Sequence, residues 1–233
     1  MAAERGGEIG TAEIDWSPTY RIIPSRFPPV QLFERVADPV DLDAVLEIEA
    51  LTNERIRDEV GELNLVPPED RVSGPGSSFI MAAFTHVYPS GGRFNDGRFG
   101  AYYTARDRPT AIAETVYHRE RFLAYTDQPP SELAMRVLRA RVKGKMHELR
   151  GQSAELPAVY DRDDYTGGQA LARRLREAGS YGIVYDSVRR EGGECAAVLR
   201  PPVLSGCKQA EHLGYMWDGS RITTVYEKRL LRR

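Results

Sequence analysis

From Gly91 to Arg121 the chain reads GGRFNDGRFGAYYTARDRPTAIAETVYHRER, which packs glycines, aromatics and both signs of charge more densely than a plain structural hairpin needs. Gly91 and Gly92 let the backbone take φ values closed to other residues and approach a ligand closely, which puts Arg93 on a tight turn. Arg93 presents a rigid fork of donors suited to phosphate or ribose oxygens. Tyr103 falls at the end of a β-prone run, where its face could stack on a planar ring. Glu114 falls in the helix that follows, on one face with His118 and Arg121. Each residue also has a purely structural account: a solvated turn arginine, a core aromatic, and an exposed ion pair worth about 0.3 to 0.5 kcal/mol. Ile112 and Val116 give that helix an apolar face, and Ala111 and Ala113 keep it slim, so it can pack close beside the strand and bring Glu114 near Tyr103.

A second constellation is Tyr181-Gly-Ile-Val-Tyr-Asp-Ser187-Val-Arg189, an apolar strand that delivers Asp186 and Ser187 to its end before the Gly192-Gly193 turn. Turn propensity alone explains Asp186 and Ser187, and spacing does not separate that account from a functional one. Other chemistries lack their signatures. His86, His118, His147 and His212 never stand four apart on a helix as HExxH zinc sites require, and Cys195 and Cys207 form no CxxC, so no metal site is expected. Neither GxxxxGK[ST] nor GxSxG occurs, and Ser77-Ser78 after Gly-Pro-Gly reads as a turn.

These residues need elements to hold them. Residues 1 to 18 show no periodicity and read as a flexible arm, with the fold starting at Thr19. Tyr20 to Ile23 is a short strand stopped by Pro24, Val30 to Val36 a second strand candidate, and Asp41 to Ile56 carries helical spacing. Pro67-Pro68 and residues 73 to 78 make a long loop, followed by the apolar stretch Phe79 to Phe84. Gly100 to Ala105 is β-prone, and Asp107-Arg108-Pro109 opens a helix to about Phe122 with an N-cap and a first-turn proline. Ser131 to Val142 predicts a strand, Asp163 or Asp164 caps a helix through Arg176 that Gly179 ends, and Tyr181 to Tyr185, Glu194 to Leu199 and Arg221 to Glu227 predict three more strands. One mixed α/β domain follows.

The bulk properties agree. The chain has 233 residues, 41% hydrophobic and 28% charged, with 32 basic against 34 acidic side chains for a formal net charge of −2. This is ordinary globular composition, without the basic footprint that direct nucleic-acid binding needs. Two cysteines suit a reducing compartment, and no apolar run of spanning length or signal-like start occurs, so a cytoplasmic protein with no membrane partner is expected.

Four segments together resemble the RES-domain family, named for Arg, Glu and Ser: Gly91-Gly92-Arg93-Phe94-Asn95, Tyr103-Thr104-Ala105, Ala111-Ile112-Ala113-Glu114 and Gly182-Ile183-Val184-Tyr185-Asp186-Ser187. They occur in the family's order over about residues 20 to 229, with Phe94 where the family usually has Trp and a stretch from about 36 to 85 longer than in compact members. The resemblance implies a single α/β (α+β) domain similar to ADP-ribosyltransferases, split mixed sheets flanked by helices, spanning residues 19 to 233 with an enlarged helical and loop insertion at about 36 to 85. It implies a toxin of a toxin-antitoxin pair whose partner is an Xre-like antitoxin, acting on NAD+ as substrate with no cofactor and no metal.

Carried onto this sequence, the catalytic set is Glu114, Arg93, Tyr103 and Ser187. The NAD+-binding set is Arg93, Phe94, Tyr103, Ser187 and an N-terminal arginine, for which Arg21 and Arg35 compete. Breaking the nicotinamide–ribose bond leaves positive charge on the ribose, which the Glu114 carboxylate would stabilise. Arg93 would hold diphosphate or ribose oxygens, Tyr103 would stack on nicotinamide, and Ser187 would hydrogen-bond the ligand. Water or phosphate as acceptor, ADP-ribosyl transfer to a protein, a non-catalytic partner-binding module and a homo-oligomer all remain open at this stage.

Overall fold

The computed structural model describes residues 9–26, 32–35, 42, 60–229 and 231. Seven strands carry the fold: β1 (Thr11–Pro24), β2 (Tyr102–Ala105), β3 (Ser131–Glu148), β4 (Gly182–Asp186), β5 (Glu194–Val198), β6 (Leu204–Trp217) and β7 (Ile222–Lys228). They form one mixed sheet in the order β1-β2-β5-β4-β3-β6-β7, and an added β1–β3 pairing closes the first five into a ring. Every pairing is antiparallel except β3 with β4, where His147 and Glu148 run alongside Ile183 and Val184. Long β3 belongs both to the ring and to the β6–β7 wing, so the two parts of the mixed α/β domain are one hydrogen-bonded system.

Helices α1 (Leu32–Arg35), α2 (Ser77–Thr85), α3 (Arg108–Tyr125) and α4 (Thr166–Glu177) complete the described elements, with single 3-10 turns at Leu63–Leu65, Pro68–Asp70 and Pro201–Val203. Alternation along the strands sends side chains into two cores. Tyr102 packs with Phe84, Met81 and Val142 in the first, and its neighbours in sequence, Ala101 and Tyr103, belong to the second with Phe94, Ile183 and Tyr215. Helix α3 begins as expected, with the Asp107 side chain accepting from Thr110 N at 2.8 Å and Pro109 in the first turn. Helix α4 buries Leu171, Ala172 and Leu175, and Gly179 closes its end at φ +84°. Its start is tied by Asp164, whose Oδ1 accepts from the amide and hydroxyl of Thr166 at 2.9 and 2.6 Å.

Three expectations are corrected. The segment read as a flexible arm to residue 18 is already strand from Thr11: Ile14 and Trp16 turn inward while Glu13 and Asp15 face out, and Thr11 to Trp16 pair with His147 to Val142. Charged residues on the solvent side hid that alternation. Leu32 to Arg35, inside the expected strand from Val30, is a helical turn, and the rest of that run lies outside the described residues. Phe79 to Phe84 is the body of α2, not a bare apolar stretch, with Gly76 at φ +82° leading into it. The helix expected from Asp41 to Ile56 lies outside the described residues apart from Leu42, which is helical.

Candidate functional site

The turn at Gly91 to Asn95 is built as a clasp. Gly91 sits at φ +63°, where a side chain is strained, and Gly92 N donates to Asn95 O and to Asn95 Oδ1 at 2.9 and 3.0 Å. Tyr103 closes it from the strand: its phenol accepts from Phe94 N at 2.7 Å and donates to Asn95 Oδ1 at 2.8 Å. Gly92 is needed because a Cβ there would lie 2.8 Å from the Tyr103 hydroxyl. Burial pushes the Tyr103 phenol above its ordinary pKa, consistent with a hydroxyl engaged as a neutral donor and acceptor.

Arg93 leaves this turn inward and is only 7% exposed. Its Nη1 donates to the carbonyls of Val159 and Asp161 at 2.8 and 2.6 Å, and its guanidinium lies 4.8 Å from the Tyr165 ring centroid. No carboxylate forms an ion pair with it among the described residues. The first turn of α4 packs on its backbone, where a Cβ on Gly168 would meet Arg93 O at 2.3 Å.

Glu114 projects from α3 toward the end of β4, where Ser187 Oγ donates to its Oε1 at 2.5 Å. The same hydroxyl accepts from Arg189 N and Arg190 N, both at 3.1 Å, and Ser187 N donates to Gly193 O at 2.8 Å. Ser187 therefore holds its own turn and the carboxylate at once, which turn propensity alone did not reveal. Arg190 fastens this turn to the start of α3 through Thr110 Oγ1 at 3.1 Å. Tyr185 lies between the two halves of the site. Its ring meets Phe94 edge-on at 4.8 Å, and its buried phenol, raised in pKa by desolvation, senses Glu114, Tyr103 and Arg93. The described contacts thus join Glu114 to Ser187 and set Tyr103 on the turn that carries Arg93, with Tyr185 near both pairs.

The other expected residues stand elsewhere. The Phe94 ring is 1% exposed in the second core, so it offers no face to a ligand, because the inward Phe94 N–Tyr103 bond buries it. Arg21 lies over the Tyr102 ring at 4.7 Å and donates to Tyr103 O at 3.1 Å, on the first-core side of β2. Burial lowers its pKa, and its bond to Tyr103 O ties β1 to β2, whose only register pair is Tyr20 with Ala105. The Arg35 side chain lies outside the described residues.

One turn beyond Glu114, a cavity of about 490 Å³ opens beside His118, lined also by Gly91, Arg121, Tyr165, Thr166 and Gln169. That is within the usual size of small-molecule pockets. Burial drives the His118 pKa down to about 4, helped by the positive charges of Arg189, Arg119, Arg93 and Arg121. The imidazole is therefore neutral at neutral pH, and the cleft around it holds arginine charge and, in its lining, the Asp163 carboxylate. No cluster of His, Cys, Asp and Glu suited to a metal ion occurs among the described residues, and none of their helices is long and apolar enough to cross a membrane.

A protein-family model described as "RES domain" matches residues 68–218, well over half of the chain. "Uncharacterized protein y4oC" of Sinorhizobium fredii (strain NBRC 101917 / NGR234) is 35% identical over 207 residues, covering 89% of this chain and 86% of that protein. Among solved structures, the M. tuberculosis MbcT-MbcA toxin-antitoxin complex is similar at 17% identity and a TM-score of 0.44, over 85% of this chain and 86% of that one.

Proposed function

The chain belongs to the RES domain family, and on that premise we propose that it breaks the bond between nicotinamide and ribose in NAD+. The observation that carries this reading is the Glu114 carboxylate, fixed by the Ser187 hydroxyl at 2.5 Å, one helical turn before His118, on which the charges of Arg189, Arg119, Arg93 and Arg121 act. A held carboxylate with several arginines nearby suits a substrate that carries two phosphates and develops a sugar cation during reaction.

In NAD+ the nicotinamide ring is cationic and leaves as a neutral amine, so the protein need not supply a strong acid. As the carbon–nitrogen bond lengthens, positive charge moves onto the ribose, and Glu114 is the group that stabilises it. A carboxylate free to rotate would lose part of that effect to reorganisation, and Ser187 holds it in one orientation. Arg93 holds phosphate oxygens, its guanidinium aimed by the clasp that Tyr103 closes. The Tyr103 face is the surface for the nicotinamide ring. Water or inorganic phosphate captures the ribosyl cation.

Loss of NAD+ harms the cell that makes the enzyme. We therefore assign the protein as the toxin of a toxin-antitoxin pair restrained by an Xre-like antitoxin, as the family resemblance implies. The test is product analysis after incubating NAD+ with the purified protein, with and without phosphate and with and without the product of an adjacent small gene. Free nicotinamide with ADP-ribose, or with its phosphorylated form, is the expected result. No nicotinamide at high protein concentration would reject the reading, and label retained on lysate protein would redirect it to ADP-ribosyl transfer.

A further inference from the structure

We propose that Arg189 is the second anion-binding cation of this site, contacting the phosphates of the substrate alongside Arg93; this rests on the dinucleotide reading above. Four observations on one side chain converge on it. Its backbone is set by the Ser187 hydroxyl, which accepts Arg189 N at 3.1 Å while donating to Glu114, so the turn that aims the carboxylate also places this arginine. Its guanidinium carbon lies over the Tyr117 ring, 3.3 Å from the centroid, and Tyr117 is only three residues, about 4.5 Å of helix rise, beyond Glu114.

Its donors are also incompletely used. Nη2 donates to the Arg162 carbonyl, and Nη1 has no hydrogen-bond partner among the described residues, which leaves a donor for a phosphate oxygen. Finally, its charge is unneutralised. Arg190 pairs with Asp107, Arg173 with Asp96 and Arg200 with Asp70, while Arg189, like Arg93, makes no ion pair with a carboxylate among the described residues. Both charges act on His118, and Arg189 acts most strongly of the four arginines around it. Two guanidinium groups that both act on His118 and have no carboxylate ion pair among the described residues match a diphosphate better than one. Arg21, one of the two N-terminal arginines that the family resemblance offers for this duty, lies over the Tyr102 ring and donates to the Tyr103 carbonyl.

The alternative is a strut, with Arg189 serving only to pin Tyr117 and the Arg162 carbonyl. Binding to Glu114→Gln protein, which should hold NAD+ without turning it over, separates the two. Calorimetric titration with NAD+ and with inorganic pyrophosphate should show Glu114→Gln/Arg189→Gln binding each weaker by about tenfold or more, the scale of one charge-assisted hydrogen bond. In the otherwise wild-type enzyme, Arg189→Gln should raise KM for NAD+ by a similar factor while kcat changes far less. Arg189→Lys keeps an aliphatic stem on Tyr117 and a charge but loses the fork, so its affinity should fall between; it carries the test if Arg189→Gln unfolds. NAD+ and pyrophosphate binding within twofold of the Glu114→Gln protein would establish the strut and end the proposal. Pyrophosphate binding that depends on Arg189, without any NAD+ binding or cleavage, would reject the dinucleotide reading and leave the anion site standing.

Discussion

Ser187 and Glu114 share a hydrogen bond of 2.5 Å that joins the end of β4 to the middle of α3, across 73 residues of sequence. The serine is the donor, and its oxygen also accepts two backbone amides of its own turn. Every hydrogen-bonding position of that hydroxyl is therefore used by the protein. In the proposed reaction Ser187 would thus act through Glu114, as a positioning residue.

Glu114→Gln removes the charge and keeps an oxygen that can accept from Ser187. We expect kcat for nicotinamide release to fall by at least about 10² to 10³, the usual cost of losing one preorganised electrostatic contact. The thermal midpoint should barely move, since the hydrogen bond survives. Turnover equal to the parent would place the chemistry elsewhere.

Ser187→Ala strips one donor from the carboxylate and one acceptor from two amides. Stability should fall by about 1 to 3 kcal/mol, and kcat by about 10- to 100-fold as Glu114 loses its orientation. Ser187→Thr retains the hydroxyl and should recover most of kcat. If threonine fails to rescue while the fold is intact, the hydroxyl is not what matters at this position.

How much of this could be read beforehand depended on whether the deciding contact was local. The phase of α3, and hence the side of the helix that bears Glu114, follows from Asp107 and Pro109, because a cap and a first-turn proline act within one turn. The Gly91 turn was legible for the same reason, since a positive φ is a demand on one residue. The fate of Arg21 was not: it depends on β1 meeting β2 82 residues away, and no local pattern tells a lock from a ligand contact. Strand β6 went unassigned because Gly206, Lys208, Gln209 and Glu211 break its apolar alternation. Gly206 is at φ +59°, and the register with β3 slips twice along that stretch. Arg189 stood in plain view two residues after Ser187, but only the ring of Tyr117 beneath it and its action on His118 set it apart from any turn arginine.

Gly168 tests whether the seat of Arg93 is as close as it looks. Alanine in a helix is intrinsically favoured over glycine by about 0.8 to 1 kcal/mol. Here its Cβ would come within 2.3 Å of Arg93 O and 3.2 Å of Arg93 Cγ, and the first of these is backbone that cannot swing aside. Overpacking of this kind costs about 1 to 3 kcal/mol, so the clash should win. Gly168→Ala should lower the denaturation midpoint and raise KM for NAD+ as Arg93 shifts. A stabilised variant with unchanged KM would show that the arginine tolerates movement.

His118 should make the fold sensitive to acid. Its pKa falls from 6.5 to about 4 in the folded protein through burial and the nearby arginines, while the unfolded chain keeps the ordinary value. Between those two values the unfolded state binds the extra proton, so stability rises with pH across the window. Falling pH therefore erodes stability from about 6.5 downward, and the loss levels off near pH 4 at no more than about 3 kcal/mol from this one group. His118→Gln keeps a neutral polar side chain and removes the titration. Denaturant unfolding at pH 7.5, 5.5 and 4.5 should show the parent losing stability faster than the variant below pH 6.5, with the two curves parallel above it. Parallel curves throughout would mean that His118 takes up its proton as readily in the folded protein as in the unfolded one, and that neither its burial nor the nearby arginines act on it as described.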